Sequence, residues 1–93
     1  MMLIMWSISN LISLFFEAMQ EKPYTKTMFS AVLTAKGRKN FVSFEVTYGL
    51  EGKKNECVIL KGGESVHLSK NQFYSVKNLK DKDSILVIKT ASN

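Results

Sequence analysis

The chain has 93 residues, a formal net charge of +5 and a pI near 9.4, with one cysteine and one histidine. That length holds one domain with a small core; the lone cysteine excludes an internal disulfide framework, and the lone histidine leaves no second one to complete a zinc site. The basic balance favours anionic partners, phospholipid headgroups or nucleic acid, and serves solubility equally well.

The first nineteen residues, MMLIMWSISNLISLFFEAM, carry a single charge at Glu17, whereas every lysine and the arginine lie from Lys22 onward. The pattern predicts an apolar N-terminal α-helix over 1–21. Polar Ser7, Asn10, Ser13, Glu17 and Gln20 fall at spacings of three and four and form one narrow stripe, with Ser9 off it. Leu3, Ile4, Ile8, Leu11, Ile12, Phe15, Phe16 and Met19 fill the broad arc that remains. At about 1.5 Å per residue such a helix reaches roughly 28 Å, close to the hydrocarbon thickness of a bilayer.

Three placements are open for it. It spans a membrane, rooted by Trp6 and by Lys22 and Lys26, with Asn10 near the middle counting against this. Or it lies as an amphipathic helix on a membrane or a partner. Or its apolar face covers the domain's own core. A cleavable secretory signal fits poorly, because no basic segment precedes the apolar run. If the helix spans, the basic residues behind it put the body on the cytoplasmic side. The paired Met1-Met2 leaves the start site open.

Residues 22–27 read as a linker, with Pro23 ending the helix. From Met28 to residue 90 the period changes to two. Met28 to Ala35 reads as a strand with Phe29, Ala31 and Leu33 on one face, followed by a turn at Lys36-Gly37-Arg38-Lys39. Phe41 to Tyr48 is the clearest strand, Val42, Phe44, Val46 and Tyr48 alternating with Ser43, Glu45 and Thr47. Asn55 to Leu60 and Ser65 to Ser69 flank Gly62-Gly63, a hairpin signal. Ser69 with Gln72 has the capping-box spacing, which predicts a short helical turn carrying Phe73, Val76 and Leu79. Ser84 to Lys89 closes the series; its Ile85-Leu86-Val87-Ile88 run is apolar on both faces and predicts a strand that is central or covered on both sides. The fold class expected is therefore mainly β: a small five-stranded SH3/OB-like barrel or sandwich with an N-terminal α-helix.

Several matches run from Ser30 to Lys89: Ala31-Val32 with Lys36, then Phe41-Val42-Ser43-Phe44-Glu45, then Phe73-Tyr74 with Leu79-Lys80-Asp81-Lys82-Asp83. In these the chain resembles a bacterial family of uncharacterised proteins, the domain of unknown function numbered two thousand five hundred. Asp83 stands where that family has glycine, and the tail Thr90-Ala91-Ser92-Asn93 lacks the family's aromatic, glycine-containing ending. The resemblance implies a single N-terminal membrane helix followed by a small β domain, and it brings no catalytic residues.

Catalytic chemistry finds little footing. Cys57 and His67 are the natural nucleophile and base to suspect. A two-residue turn at Gly62-Gly63 would set Cys57 opposite Leu68 and Val58 opposite His67, so the two point to opposite sides of a sheet, Cys57 inward and His67 outward. Asp81 and Asp83, alternating with Lys80 and Lys82, read as a solvated turn, and Gly62-Gly63 lacks the helix and lysine of a phosphate loop. No catalytic, cofactor or metal residue is assigned, and no cofactor is expected.

The leading expectation is a non-enzymatic, membrane-associated interaction module. Lys22, Lys26, Lys36, Arg38 and Lys39 would meet anionic headgroups, each contributing on the order of 1 kcal/mol near the surface. Leu3, Ile4, Trp6, Ile8, Leu11, Ile12, Phe15 and Phe16 would form the membrane or interface helix, and exposed strand edges could take a protein partner by strand addition. The alternative is a cytoplasmic, soluble accessory or inhibitor protein that binds nucleic acid or another protein, its helix packed at an interface. For nucleic acid the ingredients are Lys36, Arg38 and Lys39 beside Phe41, and Lys77, Lys80 and Lys82 after Phe73-Tyr74.

Overall fold

The computed structural model describes residues 3–8 as backbone only and residues 11–90 in full. Nine strands run through them: β1 (Leu3–Ile8), β2 (Leu11–Phe16), β3 (Glu21–Lys26), β4 (Ala31–Lys36), β5 (Ser43–Gly49), β6 (Glu56–Lys61), β7 (Ser65–Leu68), β8 (Phe73–Asn78) and β9 (Ser84–Thr90). They form a five-stranded sheet in the order β1-β2-β9-β4-β7 and a four-stranded sheet in the order β3-β8-β5-β6. Every pairing is antiparallel.

The expected five-stranded barrel with a leading helix is overturned. Where the helix was expected, β1 and β2 pair as a hairpin, and β2 pairs in turn with β9, Leu14 facing Leu86 and Phe15 facing Ile85. The polar stripe that suggested a helix is sparse enough to fit alternation too. Ile12, Phe15 and Phe16 are β-branched or aromatic types that a strand accommodates well. An available partner strand then decides between the two periods. Pro23 sits inside edge strand β3 at an irregularity in the pairing between Lys22 and Thr25, a place where a missing N–H costs least. The residues read as a linker are thus part of a sheet.

The inner faces of the two sheets meet in one apolar core built from Leu14, Phe16, Leu33, Phe44, Val76 and Leu86, among others. Phe16 and Phe44 come from different sheets and meet edge to face, with ring centroids 5.2 Å apart. Val42, Phe44 and Val46 are buried, as their alternation predicts. Phe29, placed on the same face as Ala31 and Leu33 by pattern, is instead exposed in the loop before β4.

Two turns depart from expectation. Gln72 Oε1 accepts a hydrogen bond from the Ser69 N–H at 2.6 Å, the contact of a capping box. Asn71 takes a left-handed conformation (φ 70), so the chain turns and enters β8 instead of a helix. At Gly62-Gly63 the chain reverses, but β6 and β7 then belong to different sheets. A Cβ on Gly62 would collide with the backbone of Arg38, so only glycine lets the β6–β7 turn sit against the β4–β5 loop.

Asn78 ties the sheets together at one end. Fully buried, it donates from Nδ2 to the carbonyls of Glu17 (3.0 Å) and Lys82 (2.8 Å) and accepts from the Lys80 N–H (3.0 Å). A single side chain thereby satisfies the backbone of the β2–β3 and β8–β9 loops.

Candidate protein-interaction surface

The two outer faces differ in chemistry. On the four-stranded sheet one cross-strand row reads Glu21, Lys77, Glu45 and Ile59, and the next reads Ser75, Thr47 and Cys57. Opposite charges alternate along the first row, the pattern of a solvated face. On the five-stranded sheet the rows read Leu11, Lys89, Val32, His67; then Ser13, Val87, Thr34, Ser65; then Phe15, Ile85, Lys36. Leu11, Phe15, Val32, Ile85 and Val87 are interspersed with hydroxyl and basic residues, and no Asp or Glu stands at an outward position among the described residues of these strands. Leu11 is 42% exposed, while Phe15, Val32, Ile85 and Val87 are only partly covered.

Thr34 and Ser65 hydroxyls hydrogen-bond each other at 2.6 Å within this face. At one corner, Lys89 and His67 flank Val32 on neighbouring strands, and with Ser30, Ala31 and Thr90 they line a hollow of about 230 Å³. Among the described residues β1 is an edge strand of the same sheet. Its residues Ile4, Trp6 and Ile8 hold the register positions of Phe15, Ser13 and Leu11, and Leu3 that of Phe16. The side-chain roles expected for Leu3, Ile4, Trp6 and Ile8, and for Ser9 and Asn10, lie outside the described residues.

The residues expected to form one apolar helix face are divided between inside and outside. Phe16 is fully buried, and Ile12 packs against the core. Leu11 and Phe15 lie on the outer face. No helix among the described residues is long and apolar enough to cross a membrane.

The basic candidates are not gathered on one surface. Lys22 and Lys26 belong to β3 in one sheet, while Lys36 ends β4 in the other and Arg38 and Lys39 follow in the next loop. Lys22 lies over the Tyr74 ring (4.7 Å) and donates from Nζ to the Thr25 hydroxyl. Burial lowers the pKa of this lysine and raises that of the Tyr74 phenol. The aromatics suggested for base stacking are also separated: Phe41 precedes β5, and Phe73 pairs with Gly49 at the far end of β5. Lys82 and Lys26 stand over their rings, at 4.8 and 5.9 Å.

Cys57 is exposed, contrary to expectation, because β6 pairs with β5 through Thr47 and not with β7. His67 faces outward, as its alternation implies, and lies in the other sheet. They form no nucleophile–base pair.

No protein-family model and no curated protein matches this chain. Solved structures do. The cupin domain of Drosophila melanogaster CENP-C is 19% identical, with a TM-score of 0.80 over 96% of this chain and 75% of that one. The same protein bound to CAL1 aligns with a TM-score of 0.79, again at 19% identity, over 96% and 80% of the two chains. The Schizosaccharomyces pombe Cnp3 cupin domain is 15% identical, with a TM-score of 0.72 over 98% and 60%. Oxalate oxidase, an enzyme, is 12% identical with a TM-score of 0.71, and this chain spans 39% of its length. The fold is therefore cupin-like.

The space between the two sheets is filled by Leu14, Phe16, Leu33, Phe44, Val46 and Leu86. Among the described residues no group of three or more His, Cys, Asp or Glu side chains could hold a metal ion. The donor set does not fit a metal centre.

Sequence reasoning passed over Val32, Ile85, Val87, Lys89 and His67 as a surface. The usable signal was the two-sided apolar run in the last strand. Read beside an equally two-sided Leu11–Phe16 strand, it marks a sheet with apolar groups on both faces.

Proposed function

We propose that this chain is a non-enzymatic protein-interaction module that docks a protein through the outer face of its five-stranded sheet. The observation that carries the reading is the contrast between the faces: Phe15, Val32, Ile85 and Val87 stand outward on the five-stranded sheet with no outward Asp or Glu among its described residues, while Glu21, Lys77 and Glu45 alternate in charge across the other. Apolar side chains grouped on one face are a mark of interaction sites. Five strands about 4.8 Å apart and six residues long at about 3.3 Å each give a face of roughly 24 by 20 Å. A partner covering it buries at most roughly 480 Å² per side, well below the roughly 800 Å² of a standard interface and in the range of transient encounters. The similar structure of CENP-C bound to CAL1 supports the reading by analogy, since it is a protein with a domain of this fold in complex with another.

The β1 edge adds a second mode on the same sheet, because an extended segment could pair with it while covering the face. The test is selection of a random 12-residue peptide library, displayed on phage, against the immobilised chain. Selected peptides should bind at least tenfold more weakly to a Val87→Asp variant whose far-UV circular dichroism matches the parent. Peptides that bind both proteins equally, or a library that yields none, would overturn the assignment.

A further inference from the structure

The hollow at the corner of that face has a definite chemistry. Val32 pairs with His67 on one side and with Lys89 on the other, so the two stand roughly 10 Å apart at the Cα positions, two strand spacings. Both are exposed, and both point to the outside. Val32 supplies an apolar floor, and Ser30, Ala31 and Thr90 complete the lining; the Ala31 side chain itself turns inward to the core. The lysine stem is long enough to bring its ammonium over Val32, where a ring N–H of His67 can reach from the far side. The next row across the sheet carries Val87 between the hydroxyls of Ser13 and Thr34, and the one after it pairs Ile85 with Phe15. No outward carboxylate on the described part of the face competes for the site.

We propose that this hollow receives the carboxylate of an acidic side chain, and that the face's partner is a peptide segment in which Asp or Glu is set among apolar residues. The inference rests on the docking role proposed above and adds the partner's chemistry. Charge complementarity favours such a segment over a second copy of this chain, since two copies would each bring +5. An anionic lipid surface is a different occupant; it needs many cations spread along one plane, and while Lys36 shares this face with Lys89, Lys22 and Lys26 belong to the other sheet and Arg38 and Lys39 to a loop.

The same phage selection tests it when the recovered sequences are read for composition. Wild-type protein should enrich Asp or Glu among apolar residues, and Lys89→Met should weaken the recovered peptides about tenfold, equivalent to about 1.4 kcal/mol. Lys89→Glu and, separately, His67→Glu should shift enrichment toward Lys and Arg, with melting curves confirming that each variant folds. Peptides sensitive to Val87→Asp but without acidic enrichment would overturn the carboxylate pocket and leave the docking face standing. Insensitivity to Val87→Asp would overturn both. Flotation with phosphatidylserine vesicles gives the remaining arm: binding lost in Lys89→Glu would reassign the pocket to lipid headgroups.

Discussion

Removing the Asn78 side chain should unfasten one end of the molecule. Asn78→Ala leaves the Glu17 and Lys82 carbonyls and the Lys80 N–H without the partner that now sits at 2.8–3.0 Å from each. A buried polar group left unpaired costs about 1–3 kcal/mol. These three belong to loops that water can partly reach, so the low end applies to each and the total is about 3 kcal/mol. For a domain of this size 1 kcal/mol corresponds to about 4–8 °C in melting temperature, which gives a fall of roughly 12–24 °C. Asn78→Asp is the sharper probe. It keeps the volume and the acceptor for Lys80, but turns a carboxylate oxygen toward two carbonyls that now receive hydrogen bonds. It should cost at least as much as alanine despite being nearly isosteric. Urea unfolding followed by far-UV circular dichroism measures both. If Asn78→Ala loses under about 1 kcal/mol, or Asn78→Asp matches the parent, the side chain is not the fastener described here.

Other outcomes follow from single sites. Gly62→Ala should cost more than Gly63→Ala in thermal melts: a Cβ at Gly62 collides with the Arg38 backbone, while at Gly63 it meets open space and only the left-handed φ of 89 penalises it, by about 1 kcal/mol. Equal losses would refute the close approach. Because burial lowers Lys22 below its usual 10.5, the unfolded chain binds more protons as pH approaches that value, and stability rises with pH there. Because burial raises Tyr74 above 10.0, the folded state retains a proton beyond pH 10 and stability falls with further alkalinity. Urea titrations from pH 8 to 11 should show the rise weakened in Lys22→Met and the fall weakened in Tyr74→Phe; unchanged profiles would remove these groups from the linkage. Cys57, being exposed, should react with a thiol reagent in the folded protein without denaturant, and a requirement for urea would contradict its placement on the outer face.

Where a segment's own alternation decided the outcome, the sequence was a good guide. Val42, Phe44 and Val46 go to the core, and β9 lies in the middle of its sheet between β2 and β4, as its apolar run implies. The N-terminal segment was misread because a sparse polar pattern fits periods of 3.6 and 2 alike, and only pairing with β9, some seventy residues away in sequence, separates them. Ser69 and Gln72 make the hydrogen bond of a helix cap, yet Asn71 turns the backbone and a strand follows. Cys57 was misplaced by assuming that a glycine turn joins neighbours in one sheet, when this one passes between sheets. The docking face was half visible. The Ile85-Leu86-Val87-Ile88 run pointed to a strand central or covered on both sides; the fold makes it central, burying Leu86 and Ile88 and leaving Ile85 and Val87 half-buried on the outer face.

The position of β9 also governs when the molecule can assemble. It is last in chain order among the described strands and yet joins β2 to β4, two strands that never touch each other in the sheet ladder. During synthesis the N-terminal hairpin and β4 must therefore wait, their apolar edges unpaired, until almost the whole described chain has left the ribosome. Such late closure makes for slow, non-local folding and a vulnerable nascent state. A premature stop before Ser84 would thus remove far more than one strand: it would leave two separate fragments of a sheet with nothing to bridge them.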